Sequence, residues 1–182
     1  MSTTTPPQPL SGRTAIVTGS SRGIGRAIAI HLASLGADLV INYVSNAAQA
    51  ESLANELNGP SGCIQAIAVR ADVSVSQNVD TLFDCAEATF GRRMHVLVNC
   101  AGVLDPKYSH IANTSEADWD VTLSVNTKGA YLCCKAAARR LVTGGGGRIV
   151  MITSSAIGFN RPGHGVYTAS KAAVEGDGEG VS

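Results

Sequence analysis

Short runs of β-branched and apolar residues alternate along the chain with segments in which apolar residues recur every three or four positions. The short runs indicate buried strands, and the longer spacing is that of amphipathic helices. The predicted strands are residues 14–18, 39–43, 63–69, 95–98 and 148–153. Such alternation is typical of a parallel sheet joined by crossover helices. We therefore expect an α/β fold, with a doubly wound parallel sheet between two layers of helices.

The segments between these strands have the periodicity of helices that bury one face. The first helix ends at Gly36 and has one apolar stripe, made of Ile24, Ile28, Leu32 and Leu35. Further helices are expected over residues 47–57 and 75–90, from Ser115 to about residue 142, and from Tyr167 onward. Ser115 is the expected N-cap of the long helix.

Length, charge and cysteine content narrow the classes of protein. The chain has 182 residues, of which 45% are hydrophobic, and this suits one domain with a substantial core. Its 14 basic and 14 acidic side chains cancel, so charge favours neither nucleic acid nor a membrane surface as a partner. The 5 cysteines lack the spacing of metal ligands, so we expect reduced thiols and no metal.

The first ten residues are rich in Thr and Pro, and we expect them to form a disordered leader before a domain of residues 11–175. They lack the basic and apolar regions of a secretory signal, so a cytoplasmic location is predicted. Because the leader contains no acidic residue, a chloroplast address is the alternative.

A glycine-rich loop lies between the first strand and the first helix. Its glycines follow the spacing G-x-x-x-G-x-G, which lets a backbone approach a phosphate closely, and the helix start offers free N–H groups and a positive dipole end. The alternative is a turn that only joins strand to helix. The candidate pyrophosphate-binding residues are Gly19, Ser21, Arg22, Gly23, Ile24 and Gly25.

The end of the second strand bears on the choice of dinucleotide. An acidic residue that holds the ribose hydroxyls of NAD is expected at Asn42 or Tyr43, and neither is acidic. Arg22 could instead pair with the 2′-phosphate of NADP, unless it is only a solvated loop residue. The predicted cofactor is NADPH/NADP+, with further contacts from Tyr43, Ser45 and Asn46.

Other candidate cofactor contacts follow the third and fourth strands. Asp72 and Val73 lie where an adenine ring would bind, and Asp72 could also be the N-cap of the next helix. Asn99, Ala101 and Gly102 end the fourth strand, where small residues allow a cofactor to approach the backbone.

Tyr167 and Lys171 are four residues apart, so a helix places the phenol and the ammonium on one face. Reduction of a carbonyl by hydride puts charge on oxygen, which needs a proton. A neighbouring ammonium favours the phenolate form and so makes tyrosine a usable acid–base group. Ser154 and Ser155 follow a predicted strand, where a hydroxyl could hold the substrate oxygen.

Taken together, the glycine loop, the Asn99-Cys100-Ala101-Gly102 segment and the Tyr167–Lys171 motif resemble the short-chain dehydrogenase/reductase family. Residues 103–116 resemble plant members described as short-chain type reductases and NADPH-dependent aldehyde reductase-like proteins. The resemblance implies a Rossmann fold and an oxidoreductase that reduces an aldehyde or ketone. An epimerase-type relative shares the Y-x-x-x-K motif, but its glycine spacing is usually G-x-x-G-x-x-G.

The resemblance also implies roles for single residues. Tyr167 would be the general acid, and Lys171 would bind the nicotinamide ribose and tune Tyr167. Asn126 would hold a water in a proton relay, at a point where the family commonly kinks its long helix. Ser155 is favoured over Ser154 as the catalytic serine by a small margin, because Ser155 and Gly158 form the family's S-x-x-G pattern.

Residues 176–182 form a glycine-rich tail that departs from the family pattern. Alternating glycines at about 1 kcal/mol each are expected to stop the last helix after little more than two turns. The family continues with further strands and a lobe that covers the substrate, so we expect a C-terminally truncated member with an exposed apolar fifth strand.

Two functional hypotheses follow from this departure. The first is a working NADPH-dependent carbonyl reductase with a small-molecule substrate and weakened homo-oligomer contacts. The second is a catalytically inactive isoform that keeps only nucleotide binding.

Overall fold

The described residues contain five strands, which form one parallel sheet. A computed structural model describes residues 8–178 with the exception of residues 60, 61, 63, 92, 93, 145 and 160. The strands, which lie in the order β3-β2-β1-β4-β5, are β1 (Thr14–Val17), β2 (Asp38–Tyr43), β3 (Ala66–Arg70), β4 (Val96–Asn99) and β5 (Arg148–Met151). The predicted doubly wound α/β fold is confirmed.

Helices connect the strands and cover both faces of the sheet. They are α1 (Gly23–Ser34), α2 (Ala47–Leu57), α3 (Ser76–Phe90), α4 (Glu116–Leu123), α5 (Gly129–Arg140), α6 (Ala156–Phe159) and α7 (Gly165–Gly178). A π-helical turn over Ser124–Lys128 joins α4 to α5, and a 3₁₀ turn spans Ile111–Asn113. None of these helices, within the described part of the chain, is long and apolar enough to cross a membrane.

Two hydrophobic clusters lie on opposite faces of the sheet, because successive side chains of a strand alternate between faces. In β1, Ile16 belongs to one cluster, with α3 and α5 residues such as Phe83 and Cys133. Val17 belongs to the other, with α1 and α2 residues such as Ala29 and Leu53. These clusters make three layers, as the sequence predicts.

The strand order reverses beside β1, since β2 lies on one side of it and β4 on the other. At such a reversal the following connections diverge and leave a crevice at the carboxyl ends of the strands. The glycine loop after β1 and the Asn99–Gly102 segment after β4 both lie at this crevice.

The predicted long helix from Ser115 is present as helical backbone from Glu116 to Arg140, with a π turn at Asn126, where the family resemblance implied a kink. In this turn the N–H of Gly129 donates to the C=O of Ser124, five residues back. A π turn adds one residue to a helical turn without ending the helix, so periodicity alone did not show it. The predicted N-cap is confirmed, because the Ser115 hydroxyl accepts a hydrogen bond from the N–H of Asp118.

The predicted end of the last helix is wrong, because α7, which begins at Gly165 and so near Tyr167 as expected, continues through Gly176 to Gly178. Its burial explains the difference: Val166, Ser170 and Val174 are packed in the interior and hold the helix against the domain. A propensity cost of about 1 kcal/mol per glycine is smaller than the gain from burying such a face.

Three smaller boundaries differ from the predictions. Strand β3 starts at Ala66 and not at the predicted Cys63, which lies outside the described residues. Strand β5 ends at Met151 and not at the predicted Thr153. Residues 8–10 were assigned to the leader. However, the N–H of Leu10 donates to the C=O of Leu35, and the Leu10 side chain packs against the core. Residues 1–7 lie outside the described part.

Candidate active site

The loop between β1 and α1 is held against the end of β4. Gly19 has a φ of 63°, and a Cβ added to it would lie 2.8 Å from the Cα of Ala101. A Cβ on Gly25 would lie 2.7 Å from the C=O oxygen of Gly19. Glycine is therefore required at both positions for the first turn of α1 to approach the crevice.

The start of α1 is open to an anion. Its N-cap residue, Arg22, makes no side-chain capping bond, and the first turn contains no acidic residue. Arg22 and Gly23 are exposed and Ile24 is 65% exposed, whereas Ser21 is 7% exposed. The free N–H groups and positive dipole end fit a pyrophosphate, so the predicted loop residues are suited to a dinucleotide.

Thr18 ties the glycine loop to the end of β4, a role that the sequence analysis missed. Its hydroxyl donates to Oδ1 of Asn99 at 3.1 Å and accepts from the N–H groups of Cys100 and Ala101 at 2.9 and 3.0 Å. The predicted contacts Asn99 and Ala101 are thus placed beside the phosphate loop.

Asn42 is a second positioning residue that sequence reasoning missed. It is 1% exposed, and its Oδ1 accepts from the N–H of Gly19 at 3.0 Å. Its Nδ2 donates to the C=O of Ala71 at 2.9 Å. An amide in the middle of an otherwise apolar strand was the available signal, because a buried polar side chain needs partners.

Neither the last residues of β2 nor the first turn of α2 contain an acidic residue. Tyr43 is half-buried and Ser45 is exposed. Asn46 is the N-cap of α2 but makes no capping bond, so this helix start is open as well. Nε of Arg70 donates to the C=O of Val44 at 3.1 Å, which brings a guanidinium to the same place.

Asp72 is not the N-cap of α3, so this alternative is wrong. Its Oδ1 accepts from the N–H and hydroxyl of Ser74 at 2.9 and 2.7 Å, forming a local turn. The N-cap is Val75. Val73 is 2% exposed and its side chain lies against Gly129, so only its backbone can contact a ligand.

Two of the catalytic candidates, Asn126 and Lys171, meet where β4 ends. A Cβ on Gly102 would lie 3.4 Å from Oδ1 of Asn126 and 3.6 Å from Nζ of Lys171. Nζ of Lys171 donates to the C=O of Ile152 at 2.7 Å, just after β5. Tyr167 lies one turn earlier on α7 and is half-buried.

Lys171 and Cys100 interact electrostatically in this region. Burial lowers the pKa of Lys171, and the charge of a Cys100 thiolate opposes that shift. Burial likewise raises the pKa of the Cys100 thiol, and the Lys171 ammonium opposes it. The ammonium is therefore held in a partly desolvated place, where its field on neighbouring groups is stronger than in water.

Asn126 lies in the π turn, and its side chain joins two elements of the site. Oδ1 accepts from the N–H of Val103 at 2.8 Å, and Nδ2 donates to the C=O of Val103 and to the Ser170 hydroxyl, both at 2.9 Å. These bonds fix the segment after β4 against α7. The predicted water relay stays a prediction.

The two serines differ in what they contact. The Ser154 hydroxyl accepts from the N–H of Ala156 at 3.2 Å, at the start of α6. Ser155 is exposed, and its C=O accepts from the N–H of Gly158 at 3.1 Å. An exposed hydroxyl is free to meet a substrate, but the choice between the two stays open.

The arrangement as a whole suits acid–base chemistry next to a bound phosphate compound. A phenol and a partly buried ammonium share one helix, and an anion-binding helix start lies across the crevice. Among the described residues, no group of His, Cys, Asp and Glu side chains is arranged to hold a metal ion.

Comparison with known proteins gives a consistent picture. A short chain dehydrogenase family model matches residues 13–177. An NADPH-dependent aldehyde reductase-like protein, chloroplastic, from Arabidopsis thaliana is 58% identical over 93% of this chain and 66% of its own length. A short-chain type dehydrogenase/reductase from Picea abies is 51% identical over 91% of this chain and 62% of its own.

The fold has solved relatives too. A short chain dehydrogenase from Burkholderia cenocepacia in complex with NADP is 37% identical, with a TM-score of 0.85 over 92% of this chain and 66% of that chain. The protein thus spans less than two thirds of the length of the relatives named here.

Proposed function

The chain belongs to the short-chain dehydrogenase family, and from this membership we propose that it is an NADPH-dependent oxidoreductase that reduces an aldehyde or ketone to an alcohol. The names of the two plant relatives support the reaction class. The substrate would be a small carbonyl compound. The relatives are longer than this chain, so the activity is a proposal for the protein.

The observation that supports the proposal best is a continuous set of contacts across the crevice. Gly19 is packed against Ala101, and the next residue, Gly102, is packed beside Asn126 and Lys171. The proposed phosphate-binding loop therefore contacts Ala101, and the proposed catalytic helix contacts the next residue, Gly102. A dinucleotide held at the first would extend over these small residues toward Tyr167.

Each catalytic residue has a separate task in the proposed reaction. The reduced nicotinamide, when bound, supplies the hydride. Tyr167 gives its hydroxyl proton to the carbonyl oxygen, and the Lys171 ammonium stabilises the phenolate that is left. Ser155 or Ser154 donates a hydrogen bond to the substrate oxygen. Asn126 holds the segment after β4 in place and would support the water that returns a proton.

Selectivity for NADPH is proposed from the charges at the end of β2. With no carboxylate at Asn42 or Tyr43, nothing there repels a 2′-phosphate, and Arg22, Ser45 and Asn46 can bind it. Asp72 and Val73 would lie near the adenine. The Burkholderia relative in complex with NADP is consistent with this choice.

The assembly and the location of the protein are also proposals. Assembly into homo-oligomers stays a prediction. The cytoplasm is the predicted location, and the name of the Arabidopsis relative favours the chloroplast alternative.

The test combines binding with turnover on the full chain. NADPH binding is followed by nicotinamide fluorescence, and NADPH oxidation is followed with a panel of aldehydes and ketones. Tyr167→Phe is expected to lower kcat by on the order of 10²–10⁴ with NADPH affinity unchanged, because only the proton donor is removed. Tyr131→Phe, on the outer face of α5, is the matched control.

A separate variant tests the preference for NADPH over NADH. Arg22→Ala is expected to weaken NADPH binding by roughly tenfold and to leave NADH binding unchanged, since one charge-assisted bond is lost. Arg161→Ala, another exposed loop arginine, is the control. Binding of NADPH without oxidation by the wild type would contradict the catalytic proposal and favour the second hypothesis, nucleotide binding alone.

A further inference from the structure

Three aromatic rings cluster where the catalytic helix begins. The ring centroid of His164 lies 5.2 Å from that of Tyr108 with a tilt of 41°, and 6.5 Å from that of Tyr167 at 75°. Both spacings lie in the range at which aromatic rings attract each other. The cluster brings a loop after β4 into contact with the start of α7.

The backbone at Tyr108 is strained in a way that sets the ring's position. Tyr108 has a φ of 51°, in the left-handed region that residues other than glycine rarely adopt, and no other non-glycine residue in the described ranges does so. Such strain persists only where the surroundings enforce it, and it is common at ligand sites.

Gly163 lies in close contact with Tyr108. It has a φ of 79°, and a Cβ added to it would lie 2.9 Å from both the carbonyl carbon and the Cβ of Tyr108. Any side chain at 163 would push the two loops apart. The glycine thus allows the loop containing Tyr108 to dock next to Tyr167.

His164 is fixed by a bond to its own turn. Its Nδ1 lies 3.2 Å from the C=O oxygen of Pro162, a hydrogen bond in the tautomer that has its proton on Nδ1, because a carbonyl can only accept. This bond sets the ring plane. Tyr108 remains 51% exposed, and Ile111, which is 67% exposed, lies beside Gly165 on the same side.

We propose that Tyr108 and His164 form an aromatic wall of the substrate cleft beside Tyr167, and that this wall selects carbonyl compounds with a planar ring. The proposal rests on the proposed reductase function and names its substrate class. A flat ring can pack against the Tyr108 and His164 rings with its carbonyl directed at the Tyr167 hydroxyl. A puckered aliphatic ring of the same size makes fewer such contacts.

The test uses two ketones with one carbon skeleton, acetophenone and cyclohexyl methyl ketone. Binding to the full chain is measured by ligand-observed NMR, without cofactor and again with NADP+, which cannot reduce a ketone. The wild type is expected to bind acetophenone about threefold to tenfold more tightly than cyclohexyl methyl ketone.

Variants of the two ring residues test whether the preference for acetophenone depends on the aromatic wall. Tyr108→Leu and His164→Leu are expected to reduce the ratio of the two affinities toward one, whereas Tyr108→Phe keeps a ring and keeps the ratio. Tyr131→Leu is the matched control, because Tyr131 is 50% exposed on α5, distant in sequence from the cleft loops. Circular dichroism confirms that each variant is folded.

Three results would each contradict the proposed aromatic wall. They are equal affinities of the wild type for the two ketones, no detectable binding of either ketone, and a preference for acetophenone that persists in Tyr108→Leu. Failure of the reductase proposal is seen separately, because it would appear as absent NADPH binding or oxidation while the ketone preference persists. The readout therefore does not depend on turnover.

Discussion

At the scale of single residues, the site depends on a buried amide that takes no part in the chemistry. Asn42 fixes the N–H of Gly19 and the C=O of Ala71, so it sets the shape of the phosphate loop from the neighbouring strand. Removing it leaves both backbone groups without a partner in the interior, where each unpaired group costs about 1–3 kcal/mol.

We therefore expect Asn42→Ala to lower the free energy of unfolding by about 1–3 kcal/mol and also to weaken NADPH binding. Asn58 is the matched control, since its side chain pairs with the N–H and C=O of Ala66 at the opposite end of β3. Asn58→Ala should lose stability and keep the NADPH affinity. Urea unfolding measures the free energy of unfolding, and fluorescence titration measures the NADPH affinity. An equal loss of NADPH affinity in both variants would contradict a specific role for Asn42.

Cys100 reports on the charge of Lys171. The thiolate is the reactive form of cysteine, and the ammonium of Lys171 lowers a pKa that burial raises. In Lys171→Met the lowering charge is gone, so the pKa of Cys100 rises further and its alkylation by iodoacetamide shifts to higher pH. Lys135→Met, on α5, should leave the rate profile unchanged.

The pH profile is measured by mass spectrometry of the peptide that contains Cys100, which separates it from the other cysteines. An unchanged profile in Lys171→Met, or a shift to lower pH, would show that the two groups do not interact as described. Thermal unfolding of both variants at each pH verifies that the reaction takes place on folded protein.

At the scale of elements, the π turn between α4 and α5 places Asn126 at the site and Gly129 against the core. A Cβ on Gly129 would lie 2.8 Å from Cγ2 of Val73, a stiff and buried side chain. Gly129→Ala should therefore lower the free energy of unfolding by about 1–2 kcal/mol through overpacking, despite the better helix propensity of alanine.

Gly176 is the matched helical glycine, because a Cβ there would meet nothing within 4 Å. Gly176→Ala is expected to raise the free energy of unfolding by up to ~1 kcal/mol, since α7 continues through this residue. Urea unfolding compares the two variants. No stabilisation by Gly176→Ala would contradict the helical extension, and stabilisation by Gly129→Ala would contradict the close packing.

The elements show which features a sequence pattern can and cannot predict. Apolar spacing predicted the five strands and the helices α1, α2 and α3 to within a few residues, because burial decides where they form, but it did not predict the short helix α6. It did not show the π turn at Ser124–Lys128, where only the family resemblance implied a kink, and where the Asn126 side chain bonds to the distant Val103. It also ended α7 too early, because tertiary packing of Val174 outweighs local glycine propensity.

In the candidate site, too, some features follow from a sequence pattern and others do not. The roles proposed for Gly19, Tyr167 and Lys171 come from their spacing, since the chemistry expected of them requires those residue types. The roles of Thr18 and Asn42 were not, because each acts through bonds to strands that are far away in sequence. The ring contact of Tyr108 with His164 likewise joins two loops that no local pattern connects.

At the scale of the whole molecule, the sheet has an apolar edge. Strand β5 is the last in the sheet order, and its Val150 is 45% exposed, as predicted for the fifth strand. Next to it is a groove of about 440 Å³ between α5 and β5, lined by side chains that include Leu141 and Met151. Unpaired strand edges of this kind promote association.

Val150→Lys is therefore expected to reduce self-association and raise the fraction of protein that stays in solution on concentration, because an edge charge opposes strand pairing. Val121→Lys is the control, since Val121 is 57% exposed on α4 and away from any strand edge. Light scattering against concentration measures both. An equal effect of the two substitutions would mean that general charge, and not the β5 edge, controls association.

The most direct test of the account is a crystal structure of the chain with NADP+. We expect pyrophosphate oxygens to accept hydrogen bonds from the first N–H groups of α1, and the Tyr167 hydroxyl to face the nicotinamide across Ala101 and Gly102. A dinucleotide bound elsewhere, or one whose nicotinamide lies away from Tyr167, would contradict the account.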